Sequence, residues 1–193
     1  MKMKKILLIV SLTMLGGGIG YYYVHRTHTD AGELRSDQGP IYDYNGSRDR
    51  HDIDQVFSDP EDRYWLLWDP SEFYDLDLLL DYRAPSHDPL YVGKLIIKVL
   101  RENGAFVGFT CYYKKTLTEG TVLFLTINKE FRGKGYATKL MQYVMQDLKK
   151  RGSNKITLFT RASNVRAQAL YEKLGFTISS RTDGGINYEK NVR

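Results

Sequence analysis

Cysteine is almost absent from this sequence, which has a single one, Cys111, among 193 residues. One cysteine cannot form a disulfide within the chain, so a disulfide framework is excluded. Cys111 lies in the β-favoured run AFVGFTCYYK, where we expect a buried and inert thiol. A catalytic cysteine is the lesser alternative, because no histidine lies near it in the sequence to activate it.

Internal repeats and low-complexity segments are also missing, and two common nucleotide-binding signatures do not occur. The Walker A pattern, G-x-x-x-x-G-K-[ST], is absent, and the glycine spacing does not match the dinucleotide fingerprint. What is present is an ordinary globular composition, with 42% hydrophobic and 26% charged residues. The length suffices for one domain with a substantial core.

Charge is divided unevenly along the chain, although the net charge is only +5. Residues 30–92 carry 16 acidic against 5 basic side chains, and residues 93–193 carry 19 basic against 7 acidic ones. This division predicts a cationic partner for the front part and an anionic partner for the back part. The alternative is that the two parts attract each other within the fold.

The N-terminal segment, residues 1–24, begins with MKMKK and continues without a charged residue through residues 6–24. We predict a hydrophobic helix there that anchors the chain in a membrane as a single-pass span, with three tyrosines at the interface. The alternative is a signal peptide and secretion after its cleavage, although no A-x-A site is present. A polar linker, residues 25–40, leads into a domain at residues 41–193.

The stretch from residue 121 to residue 152 predicts a strand, a glycine-rich turn and a helix. Residues 121–128 are uncharged and too short for a helix, and their lack of strict alternation predicts a strand buried on both faces. Apolar residues at three- and four-residue steps, ended by a glycine, predict the helix: Ala137, Leu140, Met141, Val144, Leu148 and Gly152. Between them lies RGKGYA, residues 132–137, where backbone N–H groups at a helix start can bind a phosphate. An ordinary turn with two basic residues in solvent is the alternative.

Further strands and helices are predicted on both sides of this unit. IYDY (41–44) predicts a strand, NGSRD (45–49) a turn and residues 51–57 a helix. The acidic, aromatic stretch 62–89 predicts short helices or loops that pack apolar side chains in the core: Trp65, Leu66, Leu67 and Leu78 to Leu80. LIIKVL and AFVGFTCYY, joined through Asn103-Gly104, predict a hairpin. A strand KITLFTR, a helix SNVRAQALYEKLGF and a closing hairpin follow.

Two motifs stand out in this order of elements. LTINKEFRGKGYA places Arg132, Gly135 and Ala137 after a strand in the pattern Arg/Gln-x-x-Gly-x-Gly/Ala. NVRAQALYEKLGF fits Asn-x-x-Ala-x-x-Leu-Tyr-(x)3-Gly-Phe through Asn164, Ala167, Leu170, Tyr171, Gly175 and Phe176. Together they resemble the acetyl-CoA motif and the second signature of the GNAT superfamily of N-acetyltransferases. The resemblance covers residues 41–193 and implies an α/β (α+β) GNAT fold, a mixed central sheet of about six to seven strands flanked by about four helices, here preceded by the N-terminal hydrophobic helix.

The resemblance also implies an enzyme, an N-acetyltransferase that carries the acetyl group from acetyl-CoA directly to a primary amine in a ternary complex, with no metal. The backbone of residues 133–138 would hold the diphosphate. The N–H group of Ile127 would polarise the thioester carbonyl, and Tyr171 would protonate the departing thiolate, with core packing as its competing role. The implied cofactor-binding residues are Leu125, Thr126, Ile127, Arg132, Gly133, Lys134, Gly135, Tyr136, Ala137, Thr138, Asn164 and Tyr171.

The acceptor and the general base are less defined. No carboxylate lies within residues 121–128, where many family members carry a base, so we assign no base and expect a water relay. The family admits the acceptor beside the early helices, which are acidic here. We therefore expect a cationic acceptor: a protein lysine or N-terminus, a polyamine or a small amine.

Two alternatives belong to other functional classes. One is a catalytically inactive acyl-CoA-binding module tethered at a membrane. The other is a nucleic-acid-binding module, but the basic residues are scattered and no base-reading motif occurs, so we expect no nucleic-acid partner. The N-terminal lysines predict an exported domain whereas acetyl-CoA is cytosolic, which leaves the side of the membrane open. Whether the chain forms a homodimer is open as well.

Overall fold

The computed structural model describes residues 40–67 and 95–192. It also describes Asp77 and two short strands near the N-terminus, β1 (Ile9–Val10) and β2 (Tyr22–Tyr23).

The N-terminal part of the chain forms a compact unit of its own, Met1–Arg35, and the remainder forms a second one, Ser36–Arg193. In the first unit β1 and β2 pair antiparallel, so these four residues form strands where a hydrophobic helix is predicted. The other residues of the predicted helix, and linker residues 25–39, lie outside the described ranges, so the membrane anchor stays a prediction. Among the described residues, no helix is both long and apolar enough to span a membrane.

Seven strands of the second unit form one mixed sheet. In chain order they are β3 (Ile41–Asp43), β4 (Ile96–Glu102), β5 (Ala105–Lys114), β6 (Glu119–Ile127), β7 (Lys155–Arg161), β8 (Thr177–Thr182) and β9 (Gly185–Asn191). Their order in the sheet is β3-β4-β5-β6-β7-β9-β8. β6 and β7 pair parallel, and the other neighbours pair antiparallel. The mixed sheet expected from the resemblance is confirmed.

Four α-helices in the described part of the chain pack on this sheet. They are α1 (Gly46–Ser58), α2 (Pro60–Leu66), α3 (Tyr136–Lys150) and α4 (Val165–Lys173). Ile53 and Phe57 of α1 form one core cluster with Phe124 of β6. Val144 of α3 belongs to a second cluster, which includes Val122 of β6. Both clusters therefore contain residues of β6, the central strand of the sheet.

A β-bulge in β6 decides which of its side chains face which cluster. The pairing of β5 with β6 shifts at Leu123, which is an extra residue on β6. Because side chains alternate along a strand, Val122 and Phe124 would share a face without the bulge. With it, Val122 and Leu125 pack in the cluster of α3 and α4, and Phe124 packs with α1.

The predicted turn at residues 45–49 is wrong. Asn45 is the N-cap of α1, where its side-chain oxygen accepts the N–H group of Ser47 at 3.0 Å, and the helix begins at Gly46. Asn-Gly is typical of a tight turn, and Asn is equally typical of a helix N-cap, so the local sequence allows both structures.

The predicted core position of Trp65 is also wrong. Its side chain is 37% exposed, whereas Leu67, just after α2, is buried in the core cluster of α1. A surface helix buries only one face, and on α2 Leu66 packs against this cluster whereas Trp65 does not. Leu78 to Leu80, also predicted to be core residues, lie outside the described residues.

Ion pairs join the acidic front part of the chain to the basic back part. The pairs are Asp43 with Lys98, Asp49 and Asp52 with Arg101, Asp59 and Glu61 with Lys129, and Glu61 and Asp62 with Arg132. Each connects an acidic residue before position 92 to a basic residue after it. A share of the uneven charge is therefore used inside the fold.

Candidate active site

β6 and β7 lie side by side for only part of their length. Their parallel pairing stops where Val122 lies opposite Leu158. Beyond this point β6 continues to Ile127 and β7 to Arg161, and residues of both strands line a cleft of about 1530 Å³. A cleft of this size is large enough for a cofactor.

The edge of β6 along the cleft offers main-chain donors and acceptors. The N–H group of Asn128 donates to a β5 carbonyl at 2.8 Å. Because main-chain groups alternate in direction along an antiparallel strand, those of Thr126 also face β5, and those of Leu125 and Ile127 face the cleft. The Ile127 carbonyl accepts from Nε of Arg132 at 2.9 Å, in agreement with this direction. The cleft edge can thus pair with an extended ligand.

The N-terminus of α3 lies at the same cleft. Gly135 is its N-cap, with a left-handed φ of 87°, and no side chain caps the helix. The N–H group of Lys139 donates to the Gly135 carbonyl at 3.1 Å. This is the first hydrogen bond of the helix, so the N–H groups of residues 136–138, which come before Lys139 in the chain, have no acceptor inside the helix. A Cβ at Gly133 would meet no atom within 4 Å, so the loop is open on this side. These groups suit a phosphate.

Tyr136 supports this loop with its side chain. The side chain is 5% exposed, and its ring contacts Phe131 edge to face, with centroids 6.0 Å apart. Its hydroxyl donates to the Glu102 carboxylate at the end of β4, and this hydrogen bond, followed by burial, raises the pKa of Tyr136. The first turn of α3 is therefore fixed to the sheet.

The two basic residues of the loop are placed differently. Arg132 pairs with Glu61 at 3.2 Å and with Asp62, both on α2. The Lys134 ammonium lies 5.2 Å from the centre of the Phe131 ring. Arg132 lines the cleft, and Lys134 does not.

Tyr171 of α4 combines a packed ring with a place on the cleft. Its ring contacts Phe176 and Tyr188, with centroids 6.0 Å and 5.8 Å apart, and the residue is 7% exposed. It also lines the cleft. Burial, with a smaller contribution from Tyr188, raises its pKa to about 12. Its hydroxyl, which has no hydrogen-bond partner within the described residues, is therefore protonated at neutral pH and can donate to a ligand.

Asn164 is the N-cap of α4. Its Oδ1 accepts the N–H group of Ala167 at 3.2 Å, and the residue lines the cleft. Its Nδ2 group can donate to a ligand there.

The cleft collects most of the residues that the sequence singled out. It is lined by Leu125, Thr126, Ile127, Arg132, Gly133, Gly135, Tyr136, Ala137, Thr138, Asn164 and Tyr171. It is also lined by Trp65 and Phe159, which the sequence reasoning missed and which are 37% and 43% exposed. The alternation in KITLFTR carried a signal for Phe159, since it places Phe159 opposite the buried Leu158 and Thr160. For Trp65 we find no sequence signal.

Carboxylates reach the cleft from outside β6. Glu61 and Asp62 line it from α2, and Glu189 lines it from β9. Burial raises the pKa of Asp62, against the opposing effect of Arg132. In residues 40–67 and 95–192, we find no group of three or more His, Cys, Asp or Glu side chains that could hold a metal ion.

Comparison with protein families gives one match that spans most of the described second unit. The model of the Acetyltransferase (GNAT) family matches residues 60–176. This range contains α2, the strands that form the cleft, α3, α4 and both sequence motifs. It is more than half of the chain.

Curated relatives match shorter stretches. The chain is 38% identical to N-alpha-acetyltransferase 30 of Schizosaccharomyces pombe over 82 residues, 40% of this chain and 55% of that protein. It is 34% identical to the ribosomal protein bS18-alanine N-acetyltransferase of Escherichia coli strain K12 over 77 residues, 40% of this chain and 51% of that protein. The chain thus spans about half the length of these relatives.

Solved structures share the fold. Spermidine N-acetyltransferase from Vibrio cholerae, in complex with CoA and spermine, superposes with a TM-score of 0.63 at 17% identity, covering 81% of this chain and 96% of that one. At this identity the likeness concerns the fold alone.

Proposed function

Because the chain belongs to the acetyltransferase (GNAT) family, we propose that it is an N-acetyltransferase that transfers the acetyl group of acetyl-CoA to a primary amine by direct attack in a ternary complex. The observation that carries this proposal is the cleft where β6 and β7 separate, with the N-terminus of α3 beside it. The names of both curated relatives support it.

The residues present fit acetyl-CoA. The N–H groups of residues 136–138 and the open loop at Gly133 can hold the diphosphate. The main-chain groups of Leu125 and Ile127 can pair with the amides of the pantetheine arm, as a neighbouring strand would. Asn164 supplies one more donor.

The reaction needs donors that stabilise the negative charge that develops on the carbonyl oxygen and on the leaving sulfur. Acetyl-CoA supplies a thioester carbonyl that an amine can attack. The N–H group of Ile127 donates to the carbonyl oxygen as negative charge grows there. The amine nitrogen forms the C–N bond, the C–S bond breaks, and Tyr171 gives its proton to the leaving sulfur. Residues 123–127 carry no carboxylate, so the proton of the amine leaves through water, which can pass it to a carboxylate that lines the cleft from α2 or β9.

The acceptor approaches from the side of α2 and β9. Glu189 brings negative charge to this part of the cleft, and Trp65 and Phe159 bring exposed aromatic surface. A cationic amine fits both: a protein N-terminus or lysine, a polyamine or a small amine. The name N-alpha-acetyltransferase makes the α-amine of a protein the first class to test.

The test is turnover with a panel of amines. Purified full-length chain is mixed with acetyl-CoA and, in separate reactions, a peptide with a free N-terminus, an N-terminally blocked peptide with one lysine, spermidine and a small amine. We expect thiol release that depends on the amine, together with an acetylated product by mass spectrometry.

Two other results would contradict the proposal. Tight CoA binding without turnover of any amine would favour the inactive acyl-CoA-binding module. Salt-sensitive binding to oligonucleotides without CoA binding would favour the nucleic-acid module.

The proposal includes membrane attachment through residues 6–24 as a single-pass anchor, with secretion after cleavage as the alternative. Reporters that work only inside or only outside the cytoplasm, fused to the C-terminus, test the orientation.

A further inference from the structure

Two arginines, one from each side of the cleft, bind helix α2, one at each end of the helix. Arg132 follows β6, and Arg161 is the last residue of β7. Since β6 and β7 separate after Val122, α2 connects two strands that no longer pair with each other.

Arg132 connects three structural elements with one side chain. Its Nε donates to the Ile127 carbonyl at 2.9 Å, and its terminal nitrogens donate to Glu61 at 3.2 Å and to Asp62. Asp62 is buried, with 9% of its side chain exposed, and Arg132 has 23% of its side chain exposed. The planar guanidinium thus fixes the cleft edge of β6 to the first turn of α2.

Arg161 makes the corresponding contacts at the other end of α2. Its Nε donates to the Tyr64 carbonyl at 2.8 Å, and a terminal nitrogen donates to the Leu67 carbonyl at 2.7 Å. The guanidinium carbon lies 4.4 Å from the centre of the Tyr64 ring. These carbonyls end the helix, where a cation is favourable.

We propose that Arg132 and Arg161 are positioning residues that clamp α2 across the cleft, and that neither binds the phosphates of acetyl-CoA. Arg132 acts through Ile127, whose N–H group faces the reacting carbonyl, and Arg161 acts through the end of α2 that carries Trp65. The inference rests on the proposed function, and it changes the role that the sequence motif implies for Arg132.

The experiment compares two acetyl donors with the same thioester and pantetheine arm, only one of which carries the diphosphate and the nucleotide. Wild type, Arg132→Ala, Arg132→Lys and Arg161→Ala are assayed with acetyl-CoA and with S-acetylpantetheine, which lacks the diphosphate and the nucleotide. A positioning residue affects both donors alike, so we expect kcat to fall about tenfold to a hundredfold with each donor. Lysine binds phosphate well but cannot donate to Ile127, Glu61 and Asp62 at once as the planar guanidinium does. We therefore expect Arg132→Lys to be as impaired as Arg132→Ala.

Matched variants define the two patterns. Gly135→Ala changes the N-cap of α3, so its loss is expected to be larger with acetyl-CoA than with S-acetylpantetheine. Asp62→Asn loosens the clamp without removing a cation, so its loss should be equal for both donors. It also tests the clamp if Arg132→Ala does not fold.

Three results would overturn the proposal: a loss confined to acetyl-CoA, recovery in Arg132→Lys, or unchanged kcat in Arg132→Ala. If the wild type acetylates no amine, the proposed function fails, and calorimetry with coenzyme A still decides the role of Arg132. A Kd within about threefold of wild type in Arg132→Ala then supports the clamp, and a larger loss contradicts it.

Discussion

Tyr171 is the residue in which packing and chemistry are hardest to separate. We predict that Tyr171→Phe keeps the ring contacts with Phe176 and Tyr188 and lowers kcat by about a hundredfold, because the leaving sulfur loses its proton donor. Steady-state kinetics and thermal unfolding measured on the same sample test this. An unchanged kcat would leave Tyr171 with its packing role alone.

The raised pKa of Tyr171 has a consequence for stability at high pH. Its folded pKa of about 12 exceeds the ordinary value of 10, so the unfolded chain loses this proton first as the pH rises. The stabilisation is complete below pH 10 and is lost as the pH rises through 12. Between pH 9 and pH 11 we expect wild type to lose about 1 kcal/mol more than Tyr171→Phe. Urea unfolding of both proteins at the two pH values measures the difference, and parallel curves would contradict it.

For single residues, the sequence predicted which ones belong to the motifs, but it did not predict the direction of their side chains. The spacing of Gly133 and Gly135 before a helix identified the loop beside the cleft. The same motif predicted that Arg132 binds a phosphate, whereas its guanidinium faces α2 and pairs with Glu61 and Asp62. The motif could not show this, because these partners lie 71 and 70 residues away in the sequence. A motif records local geometry, and such a partner is set by the tertiary fold.

Strand β6 depends on a small neighbour on β5. Gly108 lies opposite Ile127, and a Cβ on it would meet the Thr126 carbonyl oxygen at 2.3 Å. We predict that Gly108→Ala destabilises the fold by about 1–3 kcal/mol, because β6 has to move. Since that strand forms the edge of the cleft, kcat should fall more than tenfold. Unfolding and turnover are measured on the same variant.

Gly46 provides the matched control for this prediction. It begins α1, and a Cβ there would meet its nearest neighbour, the Tyr44 hydroxyl, at an ordinary 3.5 Å. Gly46→Ala should leave turnover unchanged and stabilise the fold by about 0.4–1 kcal/mol. Equal effects of the two substitutions would contradict the role given to Gly108.

Elements themselves were largely predictable, and their irregularities were not. The hairpin at Asn103-Gly104 and the helix stop at Gly175 follow from local turn chemistry, and both glycines have positive φ. The bulge at Leu123 has no sequence signature, since VLFL reads as continuous strand. It is visible only against β5, and it is the feature that reverses the faces of β6 just before the cleft.

Ion pairs between the acidic front and the basic back join parts of the chain that are far apart in sequence. Asp49 is fully buried and accepts hydrogen bonds from Arg48 and Arg101. We predict that Arg101→Ala destabilises the fold by about 3 kcal/mol, because a buried charge loses a partner. Arg50→Ala, which removes an exposed arginine from α1, the helix that carries Asp49, should have no measurable effect. Chemical unfolding at neutral pH tests both variants, and similar stabilities would contradict the prediction.

Acid should weaken the same connection. Burial raises the pKa of Asp49, but its hydrogen bonds with Arg48, the Asn45 N–H group and Arg101 outweigh that effect and lower it overall. A lowered folded pKa gives stability that is present above the ordinary value of 3.8 and is lost as the pH falls through the folded pKa. Asp49→Asn should therefore lose less stability than wild type between pH 5 and pH 2 in urea unfolding. An equal loss would exclude Asp49 as a source of acid sensitivity.

For the whole chain, the order of elements from residue 95 onward was predictable from periodicity and turns. The division of charge was visible as well, but sequence alone could not decide between external partners and pairs inside the fold. The structure shows that part of the charge is paired inside the fold. The Lys129 ammonium, for example, donates to the Asp59 carboxylate at 2.9 Å, although the two residues are 70 positions apart in the sequence. Such a contact exists only once α2 lies against the loop after β6.

We propose that main-chain groups of residues 133–138 hold the diphosphate of acetyl-CoA beside the separated strands. Calorimetric titration of the full-length chain with coenzyme A, and separately with pantetheine, tests it most directly. We expect one site per chain for coenzyme A and binding at least tenfold weaker for pantetheine, which has neither the diphosphate nor the nucleotide. Equal affinity for the two ligands, or no heat with coenzyme A, would contradict it.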